Sequence, residues 1–145
     1  MRLIRHLSVV AFASLLFLVG LSIVSSPAQA ANPWDCAAGD NPNNFSGTVS
    51  TPLAPARSGS RAIEFRFHAG HRCAWGRILY GAPGDLVWVD WKNSRSDPDS
   101  ARVQLRVWQI NDGESQFTNS YNDAGHVMRA CGQAVGQPVG CTGWY

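Results

Sequence analysis

The chain reads as all-β: a small disulfide-bonded β-sandwich or a partly open barrel. Three observations predict this class. Beyond residue 60, apolar residues recur with period two, the repeat of a strand with one buried face. Turn residues interrupt that repeat at short intervals, and no stretch beyond residue 30 shows a convincing helical period. Four cysteines, Cys36, Cys73, Cys131 and Cys141, supply cross-links for a short chain.

Residues 1–30 come first and read as a secretory signal peptide. Arg2 and Arg5 give a basic start, and residues 7–24 carry no charge. Pro27 and the small-x-small site Ala28-Gln29-Ala30 then precede Ala31. Eighteen uncharged residues could just span a bilayer, but the proline and the cleavage site favour removal. The expectation is a secreted protein, extracellular, with no membrane attachment after cleavage.

Residues 31–60 are rich in Pro, Gly, Ala, Ser, Thr and Asn, with only Trp34, Phe45, Val49 and Leu53 as large apolar residues. They read as an extended N-terminal arm ahead of a β domain over residues 61–145. In Arg61–His68, Ile63, Phe65 and Phe67 alternate with Glu64, Arg66 and His68, a half-buried strand. A turn at Ala69-Gly70 leads to a second strand over 71–80. Gly81-Ala82-Pro83-Gly84 is a turn before a third strand over 85–92. There Val87, Val89 and Trp91 share one face, and Leu86 and Trp88 the other. A polar loop over 93–100 precedes the clearest alternation, 102–110, in which Val103, Leu105 and Val107 should point inward. Asn111-Asp112-Gly113 reads as a hairpin turn. Shorter strands are expected over 115–121 and 126–131, and residues 141–145 can close the sheet.

Removing 30 of the 145 residues leaves 115, enough for one domain with its own core. Arg2 and Arg5 leave with the leader. The ten remaining Lys and Arg match ten Asp and Glu, so formal net charge falls from +2 to zero. No global pull toward nucleic acid or anionic membrane survives. An even cysteine count in an exported chain predicts two disulfides. Cys131–Cys141 is favoured, because its nine intervening residues include three Gly and one Pro and double back easily. Cys36–Cys73 follows by elimination. With no C-x-x-C pair, a zinc site is not expected.

Five phrases carry a resemblance: Ala62-Ile63-Glu64-Phe65-Arg66-Phe67, Cys73-Ala74-Trp75-Gly76-Arg77-Ile78, Pro83-Gly84-Asp85, Arg129-Ala130-Cys131 and Cys141-Thr142-Gly143-Trp144-Tyr145. In this order they resemble the YjfA-like family, a secreted bacterial domain of unknown function common in actinobacteria. The resemblance covers roughly residues 34–145. It implies export and a disulfide-bonded β domain, and brings no catalytic residue. Small proteins of this general kind also resemble adaptor subunits of secreted toxin particles.

The chemistry-bearing residues point away from catalysis. His68, His71 and His126 are the histidines left after cleavage, and no G-x-S-x-G elbow or papain-like cysteine context accompanies them. His68 and His71 flank a turn and should face solvent. Asp97 and Asp99 around Pro98 read as turn residues, since the EF-hand pattern is absent. Asp85, Asp90 and Lys92 read as strand-edge charges. No cofactor or metal is expected.

Tryptophan is the stronger signal: Trp34, Trp75, Trp88, Trp91, Trp108 and Trp144 all follow the cleavage site. Strict alternation places Trp108 with Arg102, Gln104 and Arg106, and Trp88 opposite Val87 and Val89. An aromatic–arginine face suits a protein interface, and can also stack sugar rings. The candidate partner-binding residues are therefore Trp88, Trp108, Arg102 and Arg106, plus Trp34 as the anchor of a docking arm. The expected function is a secreted, non-enzymatic binding or adaptor protein in a hetero-complex with other secreted proteins. The alternatives are a module for carbohydrate or envelope glycan, and a small secreted enzyme or protease inhibitor presenting the Cys131–Cys141 loop. Nucleic acid is not an expected partner.

Overall fold

The computed structural model describes residues 31–36 and 40–145. The leader expected over residues 1–30 lies outside the described residues. Two antiparallel sheets face each other, so the sandwich form of the expected class is the one observed. Sheet A runs β1 (Ala56–Ser58), β2 (Arg61–His68), β3 (Cys73–Leu79) and β7 (Ser115–Phe117), with β8 (Tyr121–Asn122) also on β3. Sheet B runs β10 (Gly140–Cys141), β9 (Val127–Gln133), β4 (Leu86–Lys92) and β5 (Val103–Gln104), with β6 (Trp108–Gln109) also on β4.

Alternation builds the core. Ile63, Phe65 and Phe67 of β2 point inward beside Ala74 and Ile78 of β3, against Val87 and Val89 of β4 and Met128 and Ala130 of β9. Each large side chain removed from water contributes about 1.5–3 kcal/mol before the entropy of ordering is counted. Small residues let the sheets approach. A Cβ on Gly132 would lie 2.8 Å from Ile63 Cγ1, and one on Gly76 would lie 3.1 Å from the Trp88 carbonyl oxygen. The edges β1 and β10 meet still more closely, since a Cβ on Gly140 would sit 2.0 Å from the Arg57 carbonyl oxygen.

Three links carry the chain between sheets, at residues 80–85, 110–114 and 123–126. This corrects the reading of Asn111-Asp112-Gly113 as a hairpin turn. Gly113 does take a positive φ of 71°, but β6 lies in sheet B and β7 in sheet A.

The segment 102–110 is not one strand. β5 pairs Gln104 with Asp90, and β6 pairs Trp108 with Val87, so the five residues 104–108 oppose the four residues 87–90 of β4. One extra residue is accommodated between them, as in a β-bulge, and every later side chain changes face. Leu105 is buried, whereas Val103 and Val107 are 47% and 39% exposed, against the inward placement expected for all three. Trp108 turns toward the core, and Ile110 is buried beyond it.

Residue 60 is not a structural boundary either. β1 lies inside 31–60 and pairs with β2, Ser50 bridges Phe67, and Cys36 is bonded to Cys73. Phe45 stacks on Trp75 at 5.2 Å and on His68 at 5.1 Å. His68 is therefore buried, with Nε2 against the Ser46 carbonyl, and does not face solvent; His71 is exposed. At the other end, Tyr145 exchanges two backbone hydrogen bonds with Met128 and lays its ring against Phe65 and Phe67. The second disulfide joins Cys131 to Cys141, directly opposed on β9 and β10. Loop-closure entropy gives about 3 kcal/mol for this shorter loop and about 4 kcal/mol for Cys36–Cys73.

Candidate functional site

Period two leaves Trp88, Asp90 and Lys92 on the outer face of β4. Register puts Arg129 of β9 on one side of Asp90 and Gln104 of β5 on the other. β4 is thus an interior strand, which overturns the strand-edge reading of Asp90 and Lys92. Both are nearly fully buried. A carboxylate there needs partners, and Asp90 has several. Arg129 donates Nε and Nη2 to Asp90 Oδ2 at 3.1 and 3.0 Å, and Trp88 donates Nε1 to Oδ1 at 3.0 Å. Arg102 Nε lies 3.4 Å from the same Oδ2.

The network continues through Arg129. Its Nη1 reaches Asp99 Oδ2 at 3.1 Å, and Lys92 Nζ lies 3.4 Å from Asp99 Oδ1. Trp144 donates Nε1 to Asp99 at 3.3 Å. The Trp144 ring takes both cations, Lys92 Nζ at 4.5 Å and Arg129 Cζ at 4.4 Å from its centroid. Desolvation works to raise the Asp99 carboxyl, but Arg129, Lys92 and Trp144 outweigh it and hold it below the usual carboxylate range. Lys92 also donates to the Asp97 carbonyl at 2.6 Å, so its ammonium is the cation that the 93–100 loop wraps.

Between these groups runs an open groove of about 530 Å³, lined by Trp88, Asp90, Arg102, Gln104, Arg129 and Gln133, with Val107 and Val139 on its apolar side. Trp88 and Arg102, both expected from sequence, meet here. Arg106 and Trp108 do not, because the bulge turns Trp108 inward. Arg106 instead covers the Trp108 ring, with Cζ 4.6 Å from its centroid. Trp34 lies elsewhere, half exposed, its ring edge-on to Tyr121 at 5.4 Å. Tyr121 is buried, and that burial pushes its hydroxyl up to about 12. Sequence reasoning missed Arg129 and Trp144. The signal for Arg129 was its position between the inward Met128 and Ala130; for Trp144 nothing local pointed to Asp99.

Asp85 is a structural carboxylate and not an edge charge. It accepts from Arg61 Nε at 2.7 Å and from the N–H groups of Ala82 and Val135, both at 2.9 Å. Burial opposes its ionisation, but these donors hold it below the usual range. Together with Ser58 Oγ, which accepts from Ala134 N–H and donates to the Pro138 carbonyl, it pins the 131–141 hairpin. The tip is a tight turn, closed by Gln137 N–H on the Ala134 carbonyl.

Asp90 and the sulfurs of Cys131 and Cys141 lie within 4.8 Å of one another. Both sulfurs are bonded to each other and offer no thiolate to a metal. The described histidine contacts are to backbone and to rings: His68 with Ser46, and His126 with Ala31 and, edge-on at 4.5 Å, Trp91.

No family model, curated protein or solved structure matches the chain. Among the described residues, no helix is long and apolar enough to cross a membrane.

Proposed function

We propose that this is a secreted, non-enzymatic binding protein that joins other extracellular proteins, and that the groove on sheet B receives a protein partner. One observation carries the reading: Trp88, Arg102 and Arg129 converge on one groove beside the exposed Val139 and Val107. Tryptophan and arginine around an apolar patch is the composition of interface hot spots. The ion pairs fix those side chains in advance, so little rotamer entropy is lost on binding. Export fits the leader, the two disulfides and the neutral processed chain, and the resemblance to the YjfA-like family and to toxin-particle adaptors belongs to the same reading.

A second reading, envelope glycan, is favoured by Gln104 and Gln133 lining the groove with Trp88. Planar polar groups beside an indole suit sugar hydroxyls and a sugar face.

The test is capture from culture supernatant on the immobilised protein, followed by measured affinity for what is captured. Trp88→Ala and Arg102→Glu should each weaken binding at least tenfold, as hot spots do, with unchanged circular dichroism. Undiminished binding by both variants would reject the groove. Binding of purified envelope glycan in place of any protein would select the second reading.

A further inference from the structure

The turn between β8 and β9 holds Ala31 by both of its backbone groups. Its N–H lies 3.0 Å from the Ala124 carbonyl, and its carbonyl faces His126 Nε2. The following residues continue the attachment. Asn122 N–H donates to the Pro33 carbonyl at 2.8 Å and Asn122 Nδ2 to the Asp35 carbonyl at 3.0 Å, before the disulfide at Cys36. The chain is thus clamped from the first residue after the Ala28-Gln29-Ala30 site. Next to the accepting carbonyl stands Asp123, whose side chain is 5% exposed and whose ion pair comes from Arg72, itself 57% exposed. Burial pushes the Asp123 carboxyl upward and Arg72 does not fully offset it. His126 Nδ1 is also buried and without a hydrogen-bond partner among the described residues.

We propose that the turn at residues 123–126 is a receptor for an N-terminal amine, the α-ammonium that cleavage before Ala31 creates. The inference rests on the export reading. Hydrolysis of the Ala30–Ala31 bond by a peptidase consumes one water. It leaves a carboxylate on Ala30 and an amine on Ala31, which takes a proton from solvent at neutral pH. One amide N–H on the Ala124 carbonyl becomes an ammonium with three donors and a full charge. A charged donor strengthens the hydrogen bond already present on the Ala124 carbonyl. Processing then completes the fold at this corner, besides releasing the chain.

The composition makes the test clean, because Lys92 is the one lysine in the sequence and it is buried. The processed protein has two amines, at Ala31 and Lys92. The full chain is secreted, its start read by mass spectrometry, and its amines acetylated in the folded and the urea-unfolded states. A second chain carries one glycine inserted between Ala30 and Ala31, which moves the ammonium outward and keeps the Ala31 amide. The Ala31 amine should react at least tenfold more slowly folded than unfolded. The inserted glycine should react at the unfolded rate, in a product melting about 3–5 °C lower. Equal labelling rates in the two states, or equal melting of the two products, overturns the receptor. A secreted product that begins elsewhere overturns the processing premise, and the mass spectrum shows this before any labelling.

Discussion

The two outer faces of the sandwich start from similar residues and end differently. Sheet A carries Arg66, Trp75 and Arg77, and sheet B carries Trp88, Arg102 and Arg129. On sheet A the chain covers its own tryptophan. Phe45 lies parallel to Trp75, within 6°, and Trp75 is 5% exposed. On sheet B the groove is open among the described residues, and Trp88 remains half-buried beside bound charges. An aromatic–arginine face is therefore not by itself a binding face. What decides is whether another stretch of the same chain lies over it.

The largest effect should come from Asp90→Ala. It leaves Arg129, 14% exposed at its side chain, without its main counter-charge, and should lower unfolding free energy by about 3–5 kcal/mol in a urea titration. A loss under 1 kcal/mol would mean that the ion network on sheet B is not structural. Next comes Phe45→Ala, which strips the cover from sheet A. A half-buried aromatic in a stack should contribute about 2 kcal/mol, and Trp75 fluorescence should shift toward that of an exposed indole. Unchanged emission would make the two faces alike after all.

The smallest effect is on acidification. Asp99 is held below its ordinary value of 3.8 by Arg129, Lys92 and Trp144 against the pull of desolvation. A depressed carboxyl adds stability that is present above the unfolded value and lost as pH falls through the folded one. The Trp144 indole N–H resonance should therefore move with a midpoint below pH 3.8, while that of Trp75 stays fixed. A midpoint above that value would remove Asp99 from the network.

Much of this was legible in the residues. β2 matched the expected Arg61–His68 because three large apolar residues at period two have one way to bury together. Cys131–Cys141 followed from its short, glycine-rich loop and Cys36–Cys73 by elimination. The failures were non-local. The extra residue in 102–110 shows only as a change in pairing with β4, so alternation alone misplaced Val107 and Trp108, while Val103, ahead of it on the face of Leu105, lies exposed on the edge strand. Phe45 could not be matched to Trp75, nor Trp144 to Asp99, because those contacts join segments with no shared periodicity. Composition described 31–60 as unable to make a core alone, which left open that β1 and Phe45 complete a core and a face supplied by the rest.

The place of Tyr145 has a bearing on the order of folding. Its backbone pairs with Met128 and its ring seats on Phe65 and Phe67. Until residue 145 is in place, β2 lacks part of its packing and β9 lacks the bonds from that segment. Both sheets also depend on partners far apart in the chain, which slows pairing. Loss of residue 145 alone would therefore uncover Phe65 and Phe67 and free the Met128 backbone at once, so one side chain and one peptide unit couple the packing of β2 to the pairing of β9.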